Sequence, residues 1–354
     1  ANNARLQRLI GVISLIFLVA DAGAQVVAGG KALQVLFDWP SWLGAVLGAV
    51  IVSLYCFAGG IRASIWTDAA QSMVMLVAMA LLFVVAVQSL GGVDQAIAEM
   101  QMVEGFLDWF PKRLALPGLA GALLFAVSWL FAGFSVIGQP HVMVRFMALN
   151  DSGQMRQARV WYYLWFTTFY CLATGVGMLS RIYLADSGSF DAELALPTMA
   201  IQLLPPVWVG LILAGIFAAT MSTADSLVLS CSATVTHDLL PHNIERPLLI
   251  KLVTIAITGC ALLLALANNQ SVFSLVIMSW SALASAFAPL LVALCWGRKP
   301  TQTLSIVAVL AGLSTALLWR YLGWYEMLYE GLPGILVGLT IIYLPQKRAA
   351  PRAV

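Results

Sequence analysis

Ten apolar runs of roughly twenty residues, divided by polar or Gly/Pro-rich breaks, leave this chain few ways to fold. They fall at approximately 9–30, 41–59, 66–90, 118–138, 158–184, 206–234, 247–268, 271–297, 302–322 and 331–345. Inside hydrocarbon no water can satisfy backbone N–H and C=O groups, so segments of this length must bond internally as helices. The chain is 61% hydrophobic and 10% charged, with mean hydropathy +0.92, outside the range of soluble globular domains. The expectation is an all-α integral membrane protein: a transmembrane domain over 1–345 and a short cytoplasmic tail over 346–354. The tightest connection is expected at Asn268-Asn269-Gln270.

Charge sets the orientation. With ten spans, Arg5, Arg8, Arg62, Arg145, Arg156, Arg159, Arg246, Lys251, Arg298, Lys299, Lys347, Arg348 and Arg352 fall on one side, 13 of the 18 Lys and Arg. The positive-inside rule then places both termini in the cytoplasm. Amphipathic pieces at 93–102 and 194–204 read as helices lying on the outer face. A net charge of +2, without a basic run or a phosphate-cradling loop, sets nucleic-acid binding aside. No nucleophile–base pair or His/Cys/Asp cluster supports an enzyme. The five cysteines lie in apolar segments without repeated spacing and read as small buried hydrophobes.

Polar residues inside the spans carry the functional information, because an ionisable group at bilayer depth is costly unless it faces a cavity or a partner. In the sixth span Ser222, Asp225 and Ser226 recur at i, i+3 and i+4 with Ala219 and Thr223 beside them, so one helix face holds them all. Small-xxx-small packing through Gly215, Ala218, Ala219 and Ser222 accounts for the small residues but not for the carboxylate. Hydroxyl, carbonyl and carboxylate oxygens on one face suit a hard cation, and sodium fits that description.

Three further positions interrupt apolar segments. Asp21 sits in the first span, where pairing with a neighbouring helix and contact with a solute are both open readings. Asp68 opens the third span, either capping the helix N-terminus or lining a site. The fourth span ends in Gly138-Gln139-Pro140-His141, which reads either as a plain helix end or as a discontinuous helix lining a cavity. His141 lacks companions for a metal site, since His237 and His242 belong to another connection. The aromatic-dense fifth span, from Trp161 to Tyr170, reads as an interfacial belt plus ordinary core. Pro289 in the eighth span marks a bend.

Gly215 to Asp238, the run Ile137 to Ala148, Trp66-Thr67-Asp68 and the segment from Gly323 to Gly334 together resemble the sodium/solute symporter family, in its sodium/proline branch, over nearly the whole chain. The resemblance implies a LeuT-like inverted-repeat helical bundle that couples sodium to a small-molecule solute by alternating access. It implies one sodium on Ala219, Ser222 and Thr223 and a second on Asp68, Ser222, Asp225 and Ser226. It implies a bacterial inner membrane location and a solute site touching Asp21, Ala132, Val136, Gln139 and Pro140. Laid on the family pattern the chain, which starts at Ala1, begins at the third core helix, so a preceding piece of three helices is expected and these residues alone are not expected to transport. Where proline-transporting relatives place aromatic groups, this chain has Asp21, Ala132 and Val136, so another amino acid, an amine, a carboxylate or a vitamin is the alternative solute. Domains resembling this family also serve as sensors, a further alternative.

Overall fold

The computed structural model describes residues 4–57, 60–184, 190–240, 246–267 and 271–344, which form helices and no strand. The chain runs through α1 (Ala4–Phe37), α2 (Ser41–Phe57), α3 (Gly60–Ser89), α4 (Val93–Met102), α5 (Gly118–Phe134) and α6 (Pro140–Met147). It continues through α7 (Met155–Tyr183), α8 (Ala195–Leu203), α9 (Pro206–Ala233), α10 (Pro247–Ala267), α11 (Val272–Cys295), α12 (Gln302–Tyr321) and α13 (Gly331–Tyr343). Each of the ten apolar runs is a helix, and the two amphipathic pieces are α4 and α8. The expected turn at Asn268-Asn269-Gln270 and the tail over 346–354 lie outside the described residues, as does His242.

Seven described helices are long and apolar enough to cross a membrane, and α2 and α13 are shorter apolar helices. The protein is a multi-pass membrane protein. Helix α7 has the length, but its basic and aromatic residues hold it below the apolarity of those seven. Trp161 and Tyr163 on it are more than half exposed, while Phe169 packs into the core, as a belt-plus-core reading requires. Helices α1 and α3 run past their apolar cores, because a helix carries on beyond the hydrocarbon until its backbone finds a break. The helix start expected at Asp68 is therefore displaced: α3 begins at Gly60, and Asp68 lies in its interior, where it cannot cap.

The contacts divide the chain into two compact units. The larger comprises residues 18–109 and 144–276. In it α3 packs along α9, with Gly215 pressed on Ala78, where an added Cβ would come within 2.8 Å of the alanine methyl. Helices α1 and α2 approach closely at Gly30 and Gly44, where a Cβ on Gly44 would lie 2.6 Å from the Gly30 Cα. Small residues permit such approach where lipid gives no hydrophobic drive to helix association. A core of Leu82, Leu179, Met199 and Ile212 closes the packing of α3, α7, α8 and α9.

The smaller unit comprises residues 4–17, 110–143 and 277–344. Helices α5, α12 and α13 pack together there, and Gly338 lies against the ring of Pro289 in α11. Cys56 and Cys231 are buried as read from the sequence, whereas Cys171, Cys260 and Cys295 are exposed on apolar helices, because in a membrane protein apolar surface also faces lipid. All five thiols are free.

Candidate functional site

In the larger unit the polar face of α9 meets α2 and α3. Asp225 is buried at 3% exposure, and its Oδ1 accepts a hydrogen bond from the Cys56 thiol on α2 at 3.1 Å. It borders a cavity of about 280 Å³ lined by Leu54, Tyr55, Ala63, Ser64 and Thr67. One helical turn along, the Ser226 hydroxyl donates to the Ser222 carbonyl at 2.8 Å, and the Thr223 hydroxyl donates to the Ala219 carbonyl at 3.1 Å. Such back-bonding lets a hydroxyl sit in an apolar helix without an unsatisfied donor and leaves its lone pairs free to accept.

Asp68 faces the same stretch from α3. The Ser222 hydroxyl lies beside its carboxylate. Its Oδ2 accepts from Arg145, which also donates to the Ser226 hydroxyl, and the Ser64 hydroxyl reaches Oδ2 at 3.5 Å. Asp68 Oδ1 is buried with no hydrogen-bond partner among the described residues. Thus Asp68, Ser222 and Ser226 come together, with Asp225 on the same face of α9. Ala219 also lines an apolar cavity of about 150 Å³ beside Gly215 and Ile216.

Asp21, in the same unit, is fully buried, and its Oδ1 accepts from Gln25 at 3.1 Å, one turn further along α1. The remaining residues expected at the solute site belong to the smaller unit. There α5 tightens into a 3-10 turn over Ser135–Gly138, Gln139 adopts an extended backbone (φ −92°, ψ 107°), and α6 restarts at Pro140. The fourth span is thus a discontinuous helix and not a plain end. Gly138 lets the broken segment lie against α11: a Cβ there would lie 2.4 Å from the Ala284 Cα. Gln139 is fully buried; its Nε2 donates to the carbonyls of Ser135 and Trp280, each at 3.3 Å, while Oε1 has no partner among the described residues. Ala132 and Val136 lie one turn apart before the break, and with Pro140 they are half-buried.

Further along the same unit, Glu330 at 1% exposure accepts from Arg320 at 2.6 Å and from Ser281 at 3.1 Å. The neighbouring Tyr329 bonds Ser135 through its hydroxyl at 2.7 Å, and its backbone N–H donates to Ser128 at 2.6 Å. This lattice joins the broken helix to α11, α12 and α13. Sequence reasoning missed Arg145, Cys56 and Glu330. A signal for Arg145 was present, since a carboxylate inside α3 calls for a cation and Arg145 follows the Gly-Gln-Pro break.

Apolar spanning helices, one of them broken, and carboxylates and hydroxyls buried between them define an integral membrane transporter. The profile of the sodium:solute symporter family matches residues 2–312. The chain belongs to that family. Among its relatives, the high-affinity proline transporter PutP of Bacillus subtilis (strain 168) is 27% identical over 356 residues, covering 97% of this chain and 73% of its own. The sodium/proline symporter of Escherichia coli (strain K12) is 27% identical over 376 residues, covering 99% of this chain and 72% of its own. That of Haemophilus influenzae (strain ATCC 51907 / DSM 11121 / KW20 / Rd) is 28% identical over 368 residues, covering 97% and 71%.

Proposed function

We propose that this protein is a secondary active transporter that moves a small organic solute, an amino acid such as proline, together with sodium running down its gradient. The observation that carries this reading is the convergence of Asp68, Ser222 and Ser226 beside the buried Asp225 on helices of one unit. Hard oxygens of this kind replace the hydration shell of an alkali cation, and buried carboxylates supply the opposite charge. Ala219, Ser222 and Thr223 form one proposed sodium position, and Asp68, Ser222, Asp225 and Ser226 a second.

The proposed solute contacts are Ala132, Val136, Gln139 and Pro140 around the broken helix of the smaller unit and, in the larger unit, Asp21. A break at membrane depth exposes backbone groups to a ligand, and Gln139 Oε1, without a hydrogen-bond partner among the described residues, adds an acceptor. The reading extends to a single transport domain over 1–345 of LeuT-like inverted-repeat design, lying in a bacterial inner membrane with both termini cytoplasmic. The names of the relatives favour proline. The buried carboxylate of Asp21 favours a second reading, a solute with an exposed ammonium, such as another amino acid or an amine.

The test is uptake of radiolabelled proline and a panel of amino acids and amines into proteoliposomes carrying the intact protein, under an inward sodium or potassium gradient. Sodium-driven accumulation is expected. Asp225→Asn should raise the half-saturating sodium concentration by about tenfold or more, equivalent to ~1.4 kcal/mol of lost cation binding. Uptake indifferent to sodium for every solute would refute the reading.

A further inference from the structure

We infer that Arg145 is a tethered cation that competes with sodium for the Asp68–Ser226 position, so that sodium binds there by displacing the guanidinium. The inference rests on the sodium reading above and adds a residue to it. A single nitrogen, Nη2, makes these contacts of Arg145: it donates to Asp68 Oδ2 and to Ser226 Oγ, with Ser64 Oγ at 3.5 Å. One carboxylate and two hydroxyl oxygens converging on one point is how oxygen ligands surround a small cation.

Three features distinguish this contact from a permanent structural ion pair. A permanent arginine–carboxylate pair in a low-dielectric setting gains most from the two-pronged geometry that satisfies both oxygens. Here Asp68 offers only Oδ2, and its buried Oδ1 has no hydrogen-bond partner among the described residues, so acceptor capacity is held in reserve. The Arg145 side chain is 34% exposed and that of Asp68 12%, so the cation is the less enclosed member of the pair. Ser64, the third partner, also lines the cavity that Asp225 borders, which places open volume next to the contact.

Arg145 lies on α6 and reaches Asp68 and Ser226 from there. A competitor occupying a site in most molecules lowers apparent affinity by the fraction of sites left open.

The experiment compares sodium binding, by radioactive sodium on the purified intact protein, and the half-saturating sodium concentration of uptake, for wild type, R145Q, R145K and R145A. If the guanidinium holds about nine sites in ten, R145Q and R145A should bind sodium about tenfold more tightly, and R145K, whose ammonium reaches less far, about threefold. Millimolar guanidinium added to R145A should weaken sodium binding back toward wild type while leaving wild type unmoved, a response that a merely structural arginine does not give. Sodium affinity unchanged or weakened in R145Q and R145A overturns the inference, as does an R145A unresponsive to guanidinium. Should the neutral variants fail to fold, an R145K affinity equal to or weaker than wild type does the same. Absence of sodium binding by wild type strikes instead at the sodium reading, and takes this inference with it.

Discussion

Removing the Glu330 carboxylate should destabilise the protein by about 3 kcal/mol, and removing both members of its ion pair should not. Arg320 Nη1 stands 2.6 Å from Glu330 Oε1, with side chains 15% and 2% exposed. At an effective dielectric of 20, two unit charges that close attract by about 6 kcal/mol before any desolvation is counted. Glu330→Ala leaves the half-enclosed guanidinium without this counter-charge, and losing one partner of a buried pair costs about 3–5 kcal/mol. The stacking of Arg320 on the Tyr325 ring, 4.8 Å from its centroid, survives the change and puts the expectation at the lower end. Replacing both residues, Arg320→Met with Glu330→Leu, removes the desolvation cost along with the attraction, so stability should return to within about 1 kcal/mol of wild type. Equilibrium unfolding in mixed micelles, followed by tryptophan fluorescence, measures Glu330→Ala, the double variant and its two single components, Arg320→Met and Glu330→Leu. If the double variant loses as much as the two single variants added together, the pair is not coupled and the reasoning is refuted.

Gly138→Ala should cost about 1–3 kcal/mol, as overpacking does, and should lower solute uptake more than sodium binding, because the new Cβ meets backbone atoms of Leu283 and Ala284 that cannot swing aside. Wild-type uptake by a normally folded Gly138→Ala protein would show that the helices do not meet there. Acid should loosen the turn at 191–194. Burial alone pushes the Glu193 carboxyl upward, but the Lys31 ammonium, the Phe273 N–H and the Ser271 hydroxyl more than offset it and hold the group below its ordinary value of 4.5. A lowered value in the folded protein means that Glu193 stabilises above pH 4.5 and that the contribution fades as pH falls through the folded value. Hydrogen exchange at the Phe273 amide should therefore quicken below pH 4.5 in wild type and already be fast at neutral pH in Glu193→Gln.

The architecture was legible because a bilayer imposes one length scale on every spanning segment: all ten apolar runs are helical, and seven described helices are long and apolar enough to cross. Asp225 was legible for a related reason: a carboxylate in an apolar helix has few explanations, and periodicity put Ser222 and Ser226 on its face. Its partners were not. Cys56 and Asp225 are 169 residues apart, and no local pattern marks a thiol as the donor to a given carboxylate. The place of Asp68 in its helix was not legible either, because polar residues open helices so often, yet α3 continues through Ser64 back to Gly60. Arg145 counted as one more positive charge on an inner connection, since hydrophobic length says nothing about which carboxylate a basic side chain will reach.

Helix α1 has 34 residues, about 51 Å of rise, whereas the hydrocarbon of a bilayer is about 30 Å thick. Tilt alone does not absorb an excess of that size. The apolar stretch over 9–30 is about as long as that thickness, and the last two turns, over 31–37, extend it as a stalk whose Ala32 and Leu33 are buried in the protein. Lys31 is at the base of that stalk, where it grips Asp191 and Glu193 at 2.7 and 2.6 Å. The helix therefore acts as a ruler: the length of its apolar stretch sets the height at which the 191–194 turn is moored. Inserting one residue between 9 and 30 would raise and rotate the mooring point by about 1.5 Å and 100° and part Lys31 from both carboxylates.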